Sequence, residues 1–462
     1  MPSVTLNRVE RGRYLDSVAL MRLSRRLAAL PGVEGASMMI GSPSNKALLR
    51  DAGLLAAEGD AATPNDIVIA VRAGDEASAR QALGCALEFP VESKSASFSN
   101  SKTLRGALDA LPGANFALIS VPGEFAAAEA RRALGAGLHA LVFSSGVPLA
   151  EERALKELAA QKGLLLMGPD CGTALIAGTP LAFANAVPRG DIGIVSASGT
   201  GLQEVACLIA RLGGGVSHGI GVGGRDLDEA VGALGTLAAI DALERDAATK
   251  TIVLISKPPA PRVAEQVLAR LARCKKNTVV CFLGLDQPGH APTLRAAAEM
   301  ATGKKIAEEK LTKRKASGRV EALYCGGTLC SEAELIFRRR GLEVGMRGHR
   351  FIDLGDDQYT RGRPHPMIEP EIRNDRLASA LADPLVGAVL VDIVLGYGAH
   401  RDPAGVLARE NLAQKTVIAS VVGTEADPQV RSLQVARLRD AGVLVAPSNA
   451  HAAEFAASLV AH

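Results

Sequence analysis

Apolar residues along this chain fall into short runs, and amphipathic stretches of helical period separate most of them. Such runs occupy residues 66–71, 116–121, 191–196, 251–256 and 388–394. Strands that alternate with helices pair in parallel, with helices covering both faces of the sheet. The pattern therefore predicts an α/β protein with several doubly wound parallel sheets. Residues 1–92 contain a shorter series of three strands and three helices, which predicts a small N-terminal α+β module.

One strand–turn–helix pattern occurs twice, at an offset of 128 residues. Each copy predicts an apolar strand, a turn of small residues and an amphipathic helix that ends at a glycine. The residue pairs that are identical at this offset are Gly190 and Gly318, Gly199 and Gly327, Thr200 and Thr328, Glu204 and Glu332, Arg211 and Arg339, Gly213 and Gly341, and Val216 and Val344.

The two predicted helices begin on Ser-Gly-Thr and Gly-Gly-Thr. A helix N-terminus offers unpaired backbone N–H groups and the positive end of the helix dipole, which favour an anion. Many α/β connections have a turn of this form and bind nothing, whereas a duplicated pair suggests two helix N-termini directed at one phosphate. The residues predicted to bind it are Ser196, Ser198, Gly199, Thr200, Gly326, Gly327 and Thr328.

Four segments are predicted along the chain, at residues 1–92, 104–188, 189–302 and 318–462. A Ser-rich polar stretch at 92–103 is typical of a linker. The charged run at 303–319 is interpreted as a solvated helix or a second linker.

Composition and charge argue against a nucleic-acid-binding, zinc-binding, secreted or membrane-spanning protein. The 462 residues carry a net charge of +3 and are only 3% aromatic, so there is no basic surface with stacking aromatics of the kind that binds nucleic acid. Seven cysteines without a CxxC pair indicate a reducing compartment and no structural zinc. The sequence shows neither a secretory h-region nor an apolar run of membrane-spanning length, which predicts a soluble cytoplasmic protein.

Ligands of open α/β sheets bind beyond the carboxyl ends of the strands, and several candidate residues follow predicted strands. The predicted pocket residues of this kind are Ser144, Ser145, Gly168, Pro169 and Tyr397.

Four residues are candidates for catalysis. His365 and His400 could each bind a substrate carboxylate or protonate a leaving group, or anchor a loop. Asp170 could be a general base or a turn cap, and Cys171 a nucleophile or a small buried residue.

A cluster of acidic residues offers a further alternative. Asp353, Asp356 and Asp357 could hold Mg²⁺, although a solvated acidic loop is the commoner outcome, and no metal site is predicted.

Residues 115–297 resemble the α subunit of succinyl-CoA synthetase and related NDP-forming acyl-CoA ligases. The motifs are Gly-Pro-Asp-Cys at 168–171, Ile-Gly-Ile-Val-Ser-Ala-Ser-Gly-Thr at 192–200 and Gly-Ile-Gly-Val-Gly-Gly-Arg-Asp-Leu at 219–227. Residues 391–398 are similar to a strand end in the ligase domain of the β subunit. The resemblance implies a Rossmann-like CoA-binding-type domain at 104–188 and flavodoxin-like ligase-type domains at 189–302 and 318–462.

The full-length arrangement, including the stretches at 363–370 and 395–405, most resembles the FdrA family. That family's association with allantoin breakdown implies a carbamoyltransferase subunit that converts oxalurate and phosphate to oxamate and carbamoyl phosphate, together with companion subunits in an oligomer.

The chain departs from the ligases where they phosphorylate a histidine. Lys257 and Ser145 stand where the ligases have glutamates, and His290 lies in a shortened loop with a proline in place of a glycine. An imidazole without its orienting carboxylates is poorly positioned. His290 is therefore a weak candidate, and Lys257 adds a positive charge to the predicted pocket.

Two other functions stay open from the sequence. The chain could be an acyl-CoA synthetase that works with a separate ATP-grasp partner, because no ATP-grasp domain is recognisable in it. It could also be a non-catalytic subunit that senses phosphate or CoA. CoA and Mg²⁺ are the cofactors considered, and neither is assigned.

Overall fold

The computed structural model describes residues 3–13, 15, 17–86, 101, 103–285, 287–309, 311, 316–360 and 364–460. Most of the linker predicted at 92–103 and part of the charged run at 303–319 lie outside the described residues, as do Asp286 and Arg363. The chain forms two compact units, residues 1–100 with 357–364 and residues 101–356 with 365–462.

The first unit is a three-stranded antiparallel sheet with helices. Its strand order is β1-β3-β2, and the central β3 is almost wholly buried because strands flank it on both sides. The small α+β module predicted from the sequence is confirmed. Its elements are β1 (Val4–Glu10), α1 (Ser17–Ala28), β2 (Val33–Ile40), α2 (Pro43–Asp51), α3 (Ala57–Asp60), β3 (Ile67–Ala73) and α4 (Glu76–Cys85), with the later one-turn helix α13 (Asp357–Thr360).

The second unit begins with three parallel strands in the order β4-β5-β6. Helices connect the successive strands, as parallel pairing requires. The elements are α5 (Leu104–Ala110), β4 (Phe116–Ile119), α6 (Gly123–Gly135), β5 (His139–Val142), α7 (Leu149–Gln161) and β6 (Leu166–Met167).

A six-stranded sheet follows, with the order β12-β11-β9-β10-β7-β8. Its strands β9 to β12 pair in parallel, and the antiparallel hairpin β7–β8 extends the sheet beyond β10. The elements are β7 (Thr173–Ile176), β8 (Thr179–Ala182), β9 (Ile192–Ser196), α8 (Gly199–Arg211), β10 (Val216–Gly221), α9 (Leu234–Arg245), β11 (Thr251–Ser256), α10 (Pro261–Leu271), β12 (Asn277–Phe282) and α11 (Leu294–Thr302).

The last sheet has five parallel strands in the order β14-β13-β15-β16-β17, which is the flavodoxin-like order. The elements are β13 (Arg319–Tyr324), α12 (Gly327–Arg339), β14 (Arg350–Asp353), α14 (Glu371–Ala382), β15 (Val386–Val394), α15 (Pro403–Leu407), the 3₁₀ turn Leu412–Gln414, β16 (Thr416–Val422), α16 (Arg431–Asp440), β17 (Leu444–Ala446) and α17 (Asn449–Val460).

The two copies of the sequence repeat occupy equivalent places in these two sheets. β9 lies between β10 and β11, and β13 lies between β14 and β15, so each is the first strand of the same order. The helices α8 and α12 that follow them have 13 residues each. The predicted fold class of several parallel α/β sheets with a small N-terminal domain is confirmed.

One continuous apolar core joins the two repeat sheets. It contains Leu202 and Val205 of α8, Leu329 and Ala333 of α12, and Ala453 of α17, all fully buried. Small side chains allow helix axes to approach closely, so the alanine-rich α17 packs closely against α12. No helix in the described part of the chain is both long enough and apolar enough to cross a bilayer.

Candidate functional site

The N-termini of the repeat helices α8 and α12 lie side by side. Gly326, the N-cap of α12, packs against Thr200 in the first turn of α8. A Cβ on Gly326 would lie 2.9 Å from Thr200 Cγ2 and 3.0 Å from Thr200 Cβ, so a larger residue could fit only if the helices moved apart. The positive ends of two helix dipoles therefore meet at one place.

Two serines build the turn that begins α8. Ser198 Oγ accepts the Gly201 N–H at 2.9 Å and caps the helix. Ser196 Oγ accepts the Ser198 N–H at 3.1 Å and donates to the Ser198 carbonyl at 2.7 Å. The Ser196 hydroxyl is thus engaged within the turn, and Ser196 is not among the residues that line the cavity described next, so its role as a phosphate ligand stays a prediction.

A cavity of about 300 Å³ lies at the two helix N-termini, within the second unit. It includes five of the seven predicted phosphate ligands, but neither Ser196 nor Gly326. The lining residues are Asp170, Gly172, Thr173, Phe183, Ala197, Ser198, Gly199, Thr200, Gln203, Gly224, Ser256, Lys257, Cys325, Gly327, Thr328, Asp353, Gly355, His365 and Met367.

A carboxylate and an ammonium group face the first turn of α12. A Cβ on Gly327 would overlap Asp353 Oδ2 and would lie 3.6 Å from Lys257 Nζ. Burial raises the pKa of Asp353 to about 6, although the Gly355 N–H at 2.9 Å and the Lys257 charge oppose this shift. The cavity therefore holds one cation and one acid that titrates close to neutral pH.

His365 lines the same cavity as a neutral ring. Its Nδ1 accepts the Met367 N–H at 3.2 Å, so the neutral imidazole carries its proton on Nε2. Burial lowers the His365 pKa to about 4. The ring lies beside Phe183, with centroids 6.3 Å apart, and a Cβ on Gly355 would lie 2.6 Å from Nε2. At neutral pH His365 can donate a hydrogen bond but is not an acid.

A buried carboxylate behind the cavity holds the loop that precedes α12. Asp392 in β15 accepts the N–H groups of Cys325 at 2.7 Å and Gly326 at 2.8 Å. Burial raises the pKa of Asp392, and the buried Arg373, with Nη1 3.5 Å from Oδ1, opposes the shift. Neither Asp392 nor Arg373 is predicted from the sequence, because their contacts join positions far apart in the chain.

Cys171 has the environment of a structural thiol. It is 3% exposed, and its Sγ lies 3.4 Å from the carbonyl oxygens of both Thr173 and Gly221, to either of which its single S–H can donate. Burial raises its pKa to about 12, so almost no thiolate forms at neutral pH. The neighbouring Asp170 does line the cavity, with a left-handed φ of 58°.

Two of the candidate histidines lie outside the cavity lining. His400 Nδ1 accepts the Asp402 N–H at 3.0 Å, an anchoring role within its loop. His290 packs edge-on against Phe282, and burial lowers its pKa. Its Nδ1 is buried without a hydrogen-bond partner among the described residues. No carboxylate among those residues therefore orients this imidazole through Nδ1.

Of the six predicted pocket residues, only Lys257 lines the cavity. Ser144 is buried and donates to the Val121 carbonyl, and Tyr397 is 46% exposed. The predicted pocket residues outside the lining are Ser144, Ser145, Gly168, Pro169 and Tyr397.

The acidic residues do not form a metal site. No three His, Cys, Asp or Glu side chains are grouped as a metal ion needs, within the ranges that the structure describes. The suggested Mg²⁺ site at Asp353, Asp356 and Asp357 is therefore not supported, and Asp353 belongs to the cavity instead.

Gln203 is a cavity residue that is not predicted from the sequence. It lies one turn into α8 and is 2% exposed. Its Nε2 donates to Asn185 Oδ1 at 3.0 Å. A glutamine inside an amphipathic helix carries no motif of its own, and only its position in the fold distinguishes it.

Parts of this chain are similar to known proteins and protein families. A family model described as CoA-ligase matches residues 323–459, and one described as AllF, heavy metal-associated domain, matches residues 3–103. YahF of Escherichia coli (strain K12), described as uncharacterized, is 40% identical over 94% of this chain and 95% of its own length. The succinate–CoA ligase [ADP-forming] subunit alpha 2 of Archaeoglobus fulgidus is 30% identical over 48% of this chain and 76% of that subunit.

Similarity to solved structures is weaker. The dinucleotide-forming acetyl-coenzyme A synthetase 1 of Ca. Korarchaeum cryptofilum is 18% identical, with 75% of this chain and 82% of that chain covered, at a TM-score of 0.30. A likeness at this level carries no argument about the site.

Proposed function

Because the chain belongs to the CoA-ligase superfamily that includes the α subunits of succinate–CoA ligases, we propose that it is an enzyme subunit that binds phosphate between α8 and α12 and transfers a carbamoyl group to it. The observation that carries the proposal is the contact of Gly326 with Thr200, since it brings two helix N-termini to one cavity. The FdrA-type reaction, in which oxalurate and phosphate give oxamate and carbamoyl phosphate, is the specific form that we propose.

Phosphate binding rests on donors and positive charge. Each helix N-terminus contributes roughly 0.3–1 kcal/mol to the binding of an anion when exposed, and more when it is partly buried. Lys257 adds a full positive charge beside the first turn of α12. Thr200 and Thr328 line the cavity, and we propose that their hydroxyls act as further donors.

Direct attack by phosphate is preferred to a phosphohistidine. His290 does not line the cavity, and no carboxylate among the described residues bonds to its buried Nδ1. A lysine occupies the cavity position for which the ligases' pattern would have a glutamate. A positive charge there favours a phosphate that remains bound as the nucleophile.

The proposed reaction is a single displacement at the carbamoyl carbon. A phosphate oxygen attacks that carbon and forms a C–O bond, and the carbonyl oxygen becomes an oxyanion that cavity donors stabilise. The C–N bond then breaks, and its electron pair goes to the nitrogen of the departing oxamate amide. The leaving nitrogen gains one proton, and hydrogen phosphate loses one overall, so atoms and charge balance.

Asp353 and His365 are suited to different parts of this reaction. With a pKa of about 6, Asp353 is protonated in a useful fraction of molecules near neutral pH and can pass a proton to the leaving nitrogen. His365 stays neutral, since its pKa is about 4, and its Nε2–H can donate to an oxyanion.

The test is to measure carbamoyl phosphate formed from oxalurate and phosphate, with companion subunits present, together with phosphate affinity by calorimetry. Thr328→Val keeps the shape and removes a cavity hydroxyl, so both activity and affinity should fall. Thr179→Val, on an exposed position of β8, is the matched control and should change neither. Unchanged phosphate affinity in Thr328→Val would contradict the proposed site.

The second candidate is an NDP-forming acyl-CoA synthetase that works with an ATP-grasp partner. The observation that favours it is the CoA-ligase match at residues 323–459. Labelled ATP with Mg²⁺ and an ATP-grasp partner separates the two functions. Label retained on His290 would favour the synthetase, and absence of labelled phosphohistidine would favour direct attack.

A further inference from the structure

The Gln203 side chain presents a buried hydrogen-bond acceptor without a donor. Gln203 lines the cavity and is 2% exposed. Its Nε2 donates to Asn185 Oδ1 at 3.0 Å and lies 3.5 Å from the Leu395 carbonyl. No donor among the described residues bonds to its Oε1, which is itself buried. Buried carbonyl oxygens nearly always have a donor, so this one calls for an explanation.

The neighbouring residues fix which end of the amide each side chain presents. Asn185 Nδ2 donates to the Leu395 carbonyl at 3.0 Å and to Asp427 Oδ2 at 2.8 Å, and both of these atoms act as acceptors. Asn185 Oδ1 therefore faces Gln203. Since Oδ1 is an acceptor, the Gln203 side chain directs its NH₂ group toward it as the donor. This orientation of the amide leaves Gln203 Oε1 without a hydrogen-bond donor among the described residues.

Asp427 is held in place independently of the cavity. Its Oδ1 accepts the Ala186 N–H at 2.7 Å, and its Oδ2 accepts the Thr424 N–H at 2.7 Å. The amide orientation of Gln203 is thus set by a network that reaches back to the loop after β16. Asn185 and Asp427 are positioning residues in this arrangement.

We propose that Gln203 determines substrate specificity by accepting an N–H from the group that is transferred, and so selects –NH₂ over –CH₃. The inference rests on the proposed phosphate-dependent transfer and adds the residue that recognises the transferred group. The backbone N–H groups and Lys257 are donors, which suit phosphate oxygens. Hydrogen phosphate has a single O–H, which it loses in the proposed transfer, so it does not give Oε1 a lasting donor. A carbamoyl or primary carboxamide group has one, whereas an acetyl group of the same shape does not. A site built around a buried polar atom rejects the analogue that leaves this atom unpaired.

The experiment uses two pairs of probes that differ only in –NH₂ against –CH₃. Phosphonoacetamide and 2-oxopropylphosphonate carry a phosphonate, and oxalurate and N-acetyloxamate carry none. Their affinities for the full chain are measured by calorimetry, with inorganic phosphate as a separate ligand. Gln203→Met keeps the length of the side chain and removes the acceptor. Gln161→Met, on the exposed C-terminal end of α7, is the matched control.

We expect wild type to prefer phosphonoacetamide by at least about ten-fold, the size of one well-placed hydrogen bond. In Gln203→Met this preference should fall to about one, with the affinity for inorganic phosphate unchanged. Gln161→Met should behave as wild type. Gln203→Leu replaces the methionine variant if thermal unfolding shows that the latter does not fold.

Other outcomes overturn the inference or separate it from the proposed function. Wild type without a preference in either pair overturns it, and so does a Gln203 variant that keeps the preference. If phosphate fails to bind while oxalurate is still preferred to N-acetyloxamate through Gln203, the phosphate-dependent function fails and the role of Gln203 stands.

Discussion

Glu204 and Glu332 occupy equivalent positions in the two repeat helices, and Asn449 hydrogen-bonds to both. The Asn449 N–H donates to Glu204 Oε1 at 3.0 Å, and its Nδ2 donates to Glu332 Oε2 at 2.8 Å. Both carboxyl groups are buried, at 2% and 1% exposure. The first residue of α17 thereby ties the two halves of the repeat together.

Burial of Glu332 should make stability depend on pH. Burial raises its pKa to about 7, partly opposed by its hydrogen bonds from Asn449 and Leu294. The folded state therefore binds a proton more tightly than the unfolded state, whose glutamate has a pKa near 4.5. Stability should be greatest below that value and should fall as pH rises toward 7, by about 2–3 kcal/mol.

The variant that checks this is Glu332→Gln, which cannot ionise. Urea unfolding at several pH values between 5 and 8 should show a flatter pH dependence than wild type. Glu334→Gln, at a half-buried residue of the same helix that pairs with the exposed Arg338, is the control. An unchanged slope in Glu332→Gln would exclude this carboxyl as the source of the pH dependence.

Lys257→Gln should weaken phosphate binding. The variant removes the charge beside the first turn of α12 and leaves Asp353 without its cation. We expect a loss of about ten-fold or more in affinity by calorimetry, because a charge-assisted contact is worth roughly 1.5–3 kcal/mol. Lys250→Gln, at an exposed pair with Asp191, should leave affinity unchanged. Equal affinities in the two variants would place the phosphate elsewhere.

Gly326→Ala should separate the two helix N-termini. The added methyl group would meet Thr200 Cγ2 at 2.9 Å, and overpacking of this kind costs about 1–3 kcal/mol in stability. Chemical denaturation should show this loss, and phosphate affinity should fall with it. Gly135→Ala, where nothing lies within 4 Å, should show neither effect. Adding Thr200→Ser to Gly326→Ala removes the opposing methyl group and should restore part of the stability.

Asp353→Asn should reduce the rate of carbamoyl transfer by about 10²–10⁴, the usual contribution of a general acid. In wild type the rate should decline as pH rises above about 6, since the protonated carboxyl is lost. The variant should lack this decline while it still binds phosphate. Asp375→Asn, at an exposed position of α14, is the control. A decline above pH 6 that persists in Asp353→Asn would assign the proton to another group.

The repeat shows what a sequence can predict here. Gly199 and Gly327 recur at a fixed offset after apolar strands, so both helix starts and the parallel sheets around them follow from local pattern. Cavity residues on these turns are predictable for the same reason, because strand ends gather at one edge of a sheet.

The rest of the site depends on contacts between distant positions. Gln203 contacts Asn185 and Leu395 in the cavity wall, and neither contact can be recognised from the local sequence. Ser196 has the residue type of a phosphate ligand, but its hydroxyl completes the turn of α8. Donors near a helix N-terminus serve either the backbone or a ligand, and only the fold decides which.

The contact between Gly326 and Thr200 joins two segments of one polypeptide. Because the two segments are covalently linked, each half of the cavity meets the other at a fixed effective concentration. Tethered halves meet at a local concentration that does not change with the amount of protein in solution. Dilution should therefore leave this cavity complete, whereas a cavity shared between separate chains would come apart.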